Sequence, residues 1–382
     1  MSDERPRLRD LGVCIGREQP GPNNAITDVP GVRVGHRSIV RGEGRLAPGR
    51  GPVRTGVTVI HPGEGDPYFD RPAAGAFVLN GAGEVTGLSQ LREWGCLESP
   101  IGLTNTFSVP AVTEGILDWM LDRHPSIGRE TDVAIPVVGE CDDSWLNDIA
   151  GRHVGAGLVR DCLDAAAGGP VPEGNVGAGT GTVTLGLKGG IGTSSRRLGA
   201  SDGEYTIGVL VQSNFGRLED MRLNGMPIGP WLAERMRHHE HRRRDYGSII
   251  VVVATDAPLS PHQLERVARR AALGVARTGS HGAHASGELV IAFSTQTRFP
   301  RLTQARTVNV RQLHDAWLDP VFRATVDATE EAVLNALCAG EAMVGANDHR
   351  VEALPLDAVR EYLAAMKPPR LPSLAAREDP PA

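Results

Sequence analysis

A run of six apolar residues, Ile249 to Ala254, constrains the fold of this 382-residue chain more than any other segment. Gly247 and Ser248 come directly before the run, and a dense polar stretch, 235–245, precedes them. Apolar runs of this length next to a turn signal are typical of β-strands that are buried on both faces. Because such strands occur in sheets that helices cover, the segment predicts a layered α/β fold.

Other segments show strand and helix patterns that are mixed without strict alternation. Apolar or alternating runs predict strands at 31–35, 56–60, 76–80, 133–138, 183–187, 205–212 and 287–295. Apolar residues three and four positions apart predict helices at 85–94, 110–121, 261–275 and within 310–339. Ser260 and Pro261 suit the start of the third of these helices, and Gly279 suits its end. Residues 1–21 and the Pro-rich tail 368–382 are expected to be loosely ordered.

The composition argues against several classes of partner. The net charge is −6 and only 4% of the residues are aromatic, which disfavours general nucleic-acid binding and base-stacking platforms. The five Cys residues are scattered without C-x-x-C spacing, so neither a disulfide framework nor a structural zinc site is expected. The N-terminus has no apolar signal core, and no stretch is apolar for long enough to span a bilayer. These features predict a cytoplasmic protein without a membrane partner.

Two Gly-rich segments and several histidines fall short of known binding motifs. Residues 177–182 resemble a dinucleotide loop, but Thr182 stands where the third Gly belongs. Residues 181–188 nearly make a phosphate loop, but Leu187 takes the place of its Lys. The histidines fall in a polar run or beside helix-breaking glycines, so no metal site is expected; they are His238, His239, His241, His281 and His284. A nucleotide-binding protein remains an alternative, although its phosphate motif is incomplete.

Ser248 is the first candidate for chemistry because its hydroxyl stands at the mouth of a rigid buried strand. If the bond between Gly247 and Ser248 were cut, Ser248 would also carry a free α-amine, whose ordinary pKa is about 7.7–8.0. That amine could act as the general base for the hydroxyl of its own residue. The ordinary alternative is that the Gly-Ser pair is only the turn before a strand.

Further polar groups stand at the ends of other predicted strands. Ser286 and Glu288 are two residues apart on one strand, so their side chains are expected to share a face. Glu140 ends a second strand and could hold a substrate ammonium, and the amide of Asn214 ends a third and could donate to an oxyanion. Each has an ordinary alternative, respectively an edge hydrogen bond, a solvated acidic loop and a turn asparagine. Their convergence with Ser248 favours a hydrolytic site.

Six segments match the motifs of one family, in the same order along the chain. They are 28–32, 174–181, 188–192, 247–259, 261–266 and 286–288. These segments resemble the DmpA-type aminopeptidases, which comprise the L-aminopeptidase/D-esterases and the β-peptidyl aminopeptidases. The similarity runs from about residue 26 to residue 366, which is nearly the whole chain.

The resemblance implies an αββα four-layer sandwich, similar in layering to N-terminal nucleophile hydrolases but different in connectivity. It implies a single catalytic domain, 1–382, that cleaves itself between Gly247 and Ser248 into an α chain, 1–247, and a β chain, 248–382. Ser248 matches the nucleophile of the family. The remaining matches are the orienting pair, the oxyanion amide and the acid near the substrate amine, which are Ser286 with Glu288, Asn214 and Glu140.

The resemblance also implies what the enzyme acts on and how it is assembled. The expected activity is that of a serine aminopeptidase, which hydrolyses N-terminal residues from peptides, amino acid amides or esters, without cofactor or metal, as a homo-oligomer of processed αβ heterodimers. One departure concerns Asp142, which stands where some relatives carry an aromatic residue. The nearest aromatic residue, Trp145, is predicted to contribute to substrate binding instead. An acyltransferase of the same fold, which passes the acyl group to an amine, is the alternative activity.

Overall fold

In a computed structural model, which describes residues 5–237 and 246–366, the chain forms two main β-sheets flanked by α-helices. The strands are β1 (Val32–Arg41), β2 (Val53–Pro62), β3 (Asp70–Gly81), β4 (Ile101–Thr104), β5 (Val137–Glu140), β6 (Val183–Thr184), β7 (Leu187–Lys188), β8 (Ile191–Arg197), β9 (Thr206–Asn214), β10 (Tyr246–Thr255), β11 (Ala285–Pro300), β12 (Met343–Val344) and β13 (Arg350–Val351). The helices are α1 (Leu88–Trp94), α2 (Val109–Arg123), α3 (Ala156–Asp164), α4 (Gly229–Arg235), α5 (Pro261–Arg277), α6 (Leu318–Ala339) and α7 (Leu356–Ala365).

The two main sheets lie face to face, and each is covered by helices on its other side. One sheet has the strand order β1-β2-β4-β5, and the other has the order β3-β11-β10-β9-β8. Helices α2 and α3 pack on the four-stranded sheet, and α5 and α6 pack on the five-stranded sheet. The short pairs β6-β7 and β12-β13 lie outside these sheets. The layers therefore follow the order αββα, which confirms the predicted fold class.

Alternating side chains of the strands divide the interior into three apolar layers. In β10, Ile250 and Val252 belong to the layer between the two sheets, whereas Ile249 and Val251 belong to the layer under α5 and α6. A third layer joins the four-stranded sheet to α2 and α3. Successive strand residues point to opposite faces, so a strand with apolar residues at every position must be buried on both sides. The structure confirms this interpretation of the 249–254 run.

The structure differs from the sequence-based expectations in three segments. Residues 5–21 were expected to be loose, yet Leu8 and Ile15 are buried and Arg9 forms an ion pair with Glu331 of α6. The predicted strand 183–187 breaks at Leu185, which has φ +50° in the two-residue turn between β6 and β7. The strand expected at 133–138 is β5, which starts four residues later than predicted, at Val137, and ends at Glu140. In each case contacts distant in sequence outweigh the local pattern.

The remaining expectations concern membrane crossing, the polar run before Gly247 and the C-terminal tail. Within residues 5–237 and 246–366, no helix has both the length and the apolar character that crossing a membrane requires. The histidines at 238, 239 and 241, and the tail 368–382, lie outside the described residues.

Candidate active site

Ser248 lies near the start of β10, between two neighbouring strands of the five-stranded sheet. It is paired with Asn214 of the antiparallel strand β9 and with Gly287 of the parallel strand β11. Its side chain shares a face with that of Ile250, which is the face toward the other sheet. With only 3% of its surface exposed, Ser248 is held on a rigid central strand at the edge of the space between the sheets.

Asn214, the last residue of β9, presents its amide on the same face as Ser248. Directly opposite residues of antiparallel strands have Cβ atoms about 4.5–5.5 Å apart. Asn214 Nδ2 donates to the carbonyl oxygen of Asp142 at 2.8 Å, and its Oδ1 accepts from the backbone N–H of Val183 at 2.9 Å. These two bonds fix which side of the amide carries the N–H groups, and the strand pairing places this oriented amide next to Ser248.

Glu140 reaches this face from the opposite sheet, where it ends β5. Its Oε1 accepts from the backbone N–H of Glu84 at 3.0 Å, and its Oε2 accepts from the hydroxyl of Thr106. A Cβ built on Gly83 would lie 3.2 Å from Glu140 Oε1 and 3.7 Å from the Cα of Gly287. Glu140 is therefore close to Gly287, the residue of β11 that pairs with Ser248. Burial raises the pKa of this carboxyl, and its two hydrogen bonds oppose that shift.

Cys141 joins the two sheets next to Ser248, a role that no sequence motif indicates. Its Sγ donates to the carbonyl oxygens of Ser248 and Gln212, each at 3.5 Å. Burial raises the pKa of this thiol well above its usual value, so it acts as a neutral donor. An isolated cysteine in a sequence is ordinarily interpreted only as a small apolar core residue, so nothing in the sequence points to this donor role.

Ser286 and Glu288 form a hydroxyl–carboxylate pair at the start of β11, as their spacing predicted. Ser286 Oγ donates to Glu288 Oε1 at 2.5 Å, and both side chains are buried. The strand register pairs Ser286 with Gly247, and Ser248 with Gly287. Because paired residues share a face, Ser286 and Glu288 lie on the face opposite to the Ser248 side chain. The pair is thus beside the Gly247–Ser248 peptide bond rather than beside the hydroxyl.

The second carboxylate oxygen of Glu288 is unusual for a buried group. Among the described residues, Glu288 Oε2 has no hydrogen-bond partner. Burial raises the pKa of this carboxyl, whereas the bond from Ser286 and the proximity of His281 act in the opposite direction. A buried acceptor without a donor costs free energy, so this oxygen marks a place where a donor is required.

Asp142 and Trp145 occupy positions that differ from a simple substrate contact. The carbonyl oxygen of Asp142 orients Asn214, while its carboxylate accepts from the backbone N–H of Ser144 at 2.8 Å. Trp145 stacks on His349 with ring centroids 3.8 Å apart. Asp142 therefore contributes through its main chain, which any residue could supply in place of an aromatic one. The contact of Trp145 with substrate stays a prediction.

Asp143 anchors the loop that follows β5 to strand β2, a role that the sequence did not reveal. Its carboxylate accepts from the hydroxyl of Thr55 at 2.5 Å and from Asn147 Nδ2 at 2.8 Å. Burial raises the pKa of Asp143 to about 7, against the effect of these hydrogen bonds. The anchor holds the preceding carbonyl, that of Asp142, against Asn214. Its partner Thr55 lies 88 positions away in sequence, so no local pattern points to it.

Comparison with known proteins identifies the family of this chain and a relative that is similar over nearly its whole length. The model of peptidase family S58 matches residues 24–351. The β-peptidyl aminopeptidase BapA of Sphingosinicella xenopeptidilytica is 44% identical over 379 residues, which cover 96% of this chain and 92% of the relative.

Two solved structures share the fold over nearly their whole length. A β-aminopeptidase from a Burkholderia species superposes with a TM-score of 0.85 at 44% identity, covering 93% of this chain and 99% of that chain. The L-aminopeptidase D-Ala-esterase/amidase of Ochrobactrum anthropi, described as a new variant among the Ntn hydrolase fold, superposes with a TM-score of 0.84 at 41% identity. That superposition covers 94% of this chain and 99% of that chain.

Proposed function

Since the chain belongs to peptidase family S58 and is an aminopeptidase that hydrolyses peptide bonds, we propose that it acts through an N-terminal serine, Ser248, which self-cleavage after Gly247 exposes. The observation that supports this most strongly is the register around Ser248. Its hydroxyl shares one face with Asn214, while the Ser286–Glu288 pair lies beside the scissile bond on the other face. The proposed nucleophile and the pair that would hold its amine thus lie on opposite faces of the same sheet, next to one strand, β10.

Self-cleavage would use the same hydroxyl as turnover. Ser248 Oγ attacks the carbonyl carbon of Gly247, the C–N bond breaks, and the Ser248 nitrogen takes the hydroxyl proton and becomes an amine. Water then hydrolyses the resulting ester and releases the carboxylate of Gly247. Gly247 has no Cβ to obstruct the approach to its carbonyl. The new amine would face Ser286 and the unpartnered oxygen of Glu288, which would then receive a donor.

In turnover, the N-terminal amine of the substrate binds Glu140. The carbonyl carbon of the N-terminal residue then lies at Ser248. Ser248 Oγ attacks, the α-amine of Ser248 takes the hydroxyl proton, and the negative oxygen accepts from Asn214. Loss of one such donor typically costs ~2.7–4 kcal/mol of transition-state stabilisation. The amine then passes the proton to the leaving nitrogen, the substrate C–N bond breaks, and water hydrolyses the acyl-enzyme. Glu288 and Ser286 hold the charged amine while it carries the proton.

The names of the relatives suggest which substrates to test first. We propose N-terminal β-amino acids as in the β-peptidyl aminopeptidase, and amides or esters of α-amino acids as in the esterase/amidase. We further propose that the enzyme works in the cytoplasm without cofactor or metal, as a homo-oligomer of processed αβ heterodimers.

The decisive test is the mass of the purified protein together with the activity of Ser248→Ala. We expect two fragments that meet between Gly247 and Ser248 in the wild type, and one uncut, inactive chain in the variant. Ser294→Ala is the matched control, because Ser294 is a buried serine near the other end of the paired region of β11. The control is expected to be cut and active. An uncut wild-type chain with full peptidase activity would overturn the proposal.

A further inference from the structure

An apolar pocket lies on the outer face of the five-stranded sheet, next to Glu288. Its volume is about 290 Å³. Phe77 and Leu79 of β3 form one wall, and Leu273 and Ala276 of α5 form the other. The turn around Gly282 closes the end near the active site. Ligand pockets commonly measure ~300–1,000 Å³, so this one suits a single side chain rather than a whole peptide.

The walls of this outer pocket expose apolar surface that nothing in the described chain covers. Leu79 is 50% exposed and Leu273 is 57% exposed. The guanidinium of Arg269 lies over the ring of Phe77, 5.5 Å from its centroid. Arg269 lines the same pocket and limits how far an apolar group can extend along it. The pocket therefore has an apolar interior and a charged far end.

Gly282 alone separates the pocket from the Ser286–Glu288 pair. A Cβ built on Gly282, whose φ is +62°, would lie 3.7 Å from Leu79 Cδ2 and 3.8 Å from Glu288 Oε2. Asn80 fixes this junction, because its Nδ2 donates to the carbonyl oxygens of Ala283 at 2.8 Å and Ser286 at 2.5 Å. The pocket wall and the unpartnered carboxylate oxygen are therefore held at a defined separation, with only a glycine between them.

The two faces of the sheet assign the two halves of a substrate to different places. The acyl half is attached to Ser248 Oγ and carries the amine that binds Glu140, so it lies between the sheets. The leaving nitrogen receives its proton from the α-amine of Ser248, which faces Ser286 and Glu288. On this assignment a substituent on that nitrogen leads toward the outer face, where the pocket lies beyond Gly282.

We propose that this outer pocket is the subsite for the leaving group, and that it favours a second residue with an apolar side chain. The inference rests on the proposed function, since it takes Ser248 as the nucleophile and its α-amine as the proton donor. It assigns selectivity for the second residue of a peptide to Leu79 and Leu273, and leaves selectivity for the first residue to the space between the sheets.

The test compares substrates that share one N-terminal residue and differ only in the leaving group. They are the simple amide, which releases ammonia, and the dipeptides that release alanine, leucine or phenylalanine. We expect kcat/KM of the wild type to be about tenfold or more higher for leucine and phenylalanine than for alanine, the range that small apolar groups produce in pockets. In Leu273→Asp this preference should disappear, while hydrolysis of the amide changes by less than about twofold.

Two further variants make the result specific to the pocket. Leu121→Asp makes the same change on an exposed leucine of α2, on the opposite side of the sandwich, and should retain the preference. Ala276→Phe fills the pocket from an exposed helix position and should lower kcat/KM for the leucine and phenylalanine dipeptides alone.

Three results would overturn the subsite. One is an unchanged preference in Leu273→Asp, and a second is an equal loss for all four substrates. A third is a change in the mass of the assembly in Leu273→Asp, which would make the pocket a contact between copies of the chain. If Ser248→Ala keeps full activity, the proposed function fails as well. If Ser248→Ala is inactive while the preference persists in Leu273→Asp, only the subsite fails.

Discussion

The candidate catalytic groups on the two faces of the five-stranded sheet differ in how completely they are partnered. On the face between the sheets, Asn214 and Glu140 each use both ends of their polar head groups in hydrogen bonds. On the outer face, Glu288 has one oxygen bonded to Ser286, and the other has no partner among the described residues. The difference is between two groups, Asn214 and Glu140, that are fully bonded in the intact chain and a carboxylate, Glu288, that still lacks a donor.

This difference separates two kinds of catalytic contribution. Groups that are already fixed can stabilise charge without reorganising, which is the main source of their effect. A group that lacks a donor is suited to a positive charge that appears only later, such as the amine that cleavage would create. Substitutions on the inner face are therefore expected to change the recognition and stabilisation of substrate, and those on the outer face to change proton handling.

The largest effect is expected from Asn214→Ala on the inner face. Removal of an oxyanion donor typically lowers kcat by about 10²–10³-fold, and the oriented amide beside Ser248 should follow this pattern. Steady-state kinetics on an amino acid amide would measure it. Asn175→Ala, which removes an amide whose Nδ2 donates to a backbone carbonyl at an exposed site, is the control and should keep normal kinetics. An active Asn214→Ala enzyme would remove Asn214 from the site.

Glu288→Gln tests the outer face through the pH dependence of activity. In the uncut chain burial raises the pKa of Glu288, whereas the amine that cleavage would create lies beside this carboxylate, and each group then favours the charged form of the other. The acid limb of activity should therefore follow the protonation of the Ser248 amine. In the variant this limb should shift to lower pH, because the amine loses its carboxylate partner, and kcat/KM should be lower by about 100-fold. Failure to self-cleave, seen by intact mass, would also meet the expectation. An unaltered pH profile in a processed variant would contradict it, and Glu234→Gln on the exposed face of α4 is the control.

A smaller effect, mainly on KM, is expected from Glu140→Gln. Loss of the carboxylate should raise KM by about tenfold for substrates with a free amine, because a charged hydrogen bond is typically worth ~1.5–3 kcal/mol. N-acetylated substrates should bind equally weakly to both enzymes, since they lack the ammonium. Glu84→Gln makes the same change on an exposed neighbour and should have normal KM. Equal KM increases for free and acetylated substrates would show that Glu140 does not recognise the amine.

The smallest effect concerns stability and the anchor behind the inner face. With a pKa of about 7 in the folded state and about 3.9 when unfolded, Asp143 is protonated only in the folded protein between those values. The contribution of Asp143 to the free energy of unfolding should therefore be lost progressively as the pH rises from about 4 to 7. Asp143→Asn should flatten this dependence in denaturant titrations, and Asp161→Asn, at an exposed position of α3, should not. An unchanged slope in Asp143→Asn would contradict the assignment.

Local pattern was sufficient for the elements that carry the site. The 249–254 run, the spacing of Ser286 and Glu288, and the start of α5 at Ser260 and Pro261 all express a short-range rule. A strand exposes alternate residues to one face, and a helix start needs an acceptor for its first N–H groups. These rules need no knowledge of the rest of the chain.

Register and long-range anchors could not be predicted in the same way. The placement of Ser286 beside Gly247 depends on how two strands joined by α5 align, and a shift of one residue would reverse the faces. The bond from Cys141 to Ser248 crosses from one sheet to the other, and Asp143 depends on Thr55 of β2. Each of these contacts joins residues that are far apart in sequence, so only the assembled layers determine them.

The strand order of the five-stranded sheet has a consequence for the molecularity of folding. Strands β10 and β11 lie between β3 and β9, and all but two residues of β10 follow the Gly247–Ser248 bond, as does the whole of β11. After a cut, one polypeptide would provide the middle of the sheet and the other its margins. Unfolding would then separate two molecules, and the midpoint would depend on protein concentration. The uncut chain has no such dependence within its own fold, so it can form this interleaved sheet in a unimolecular reaction before the cut is made.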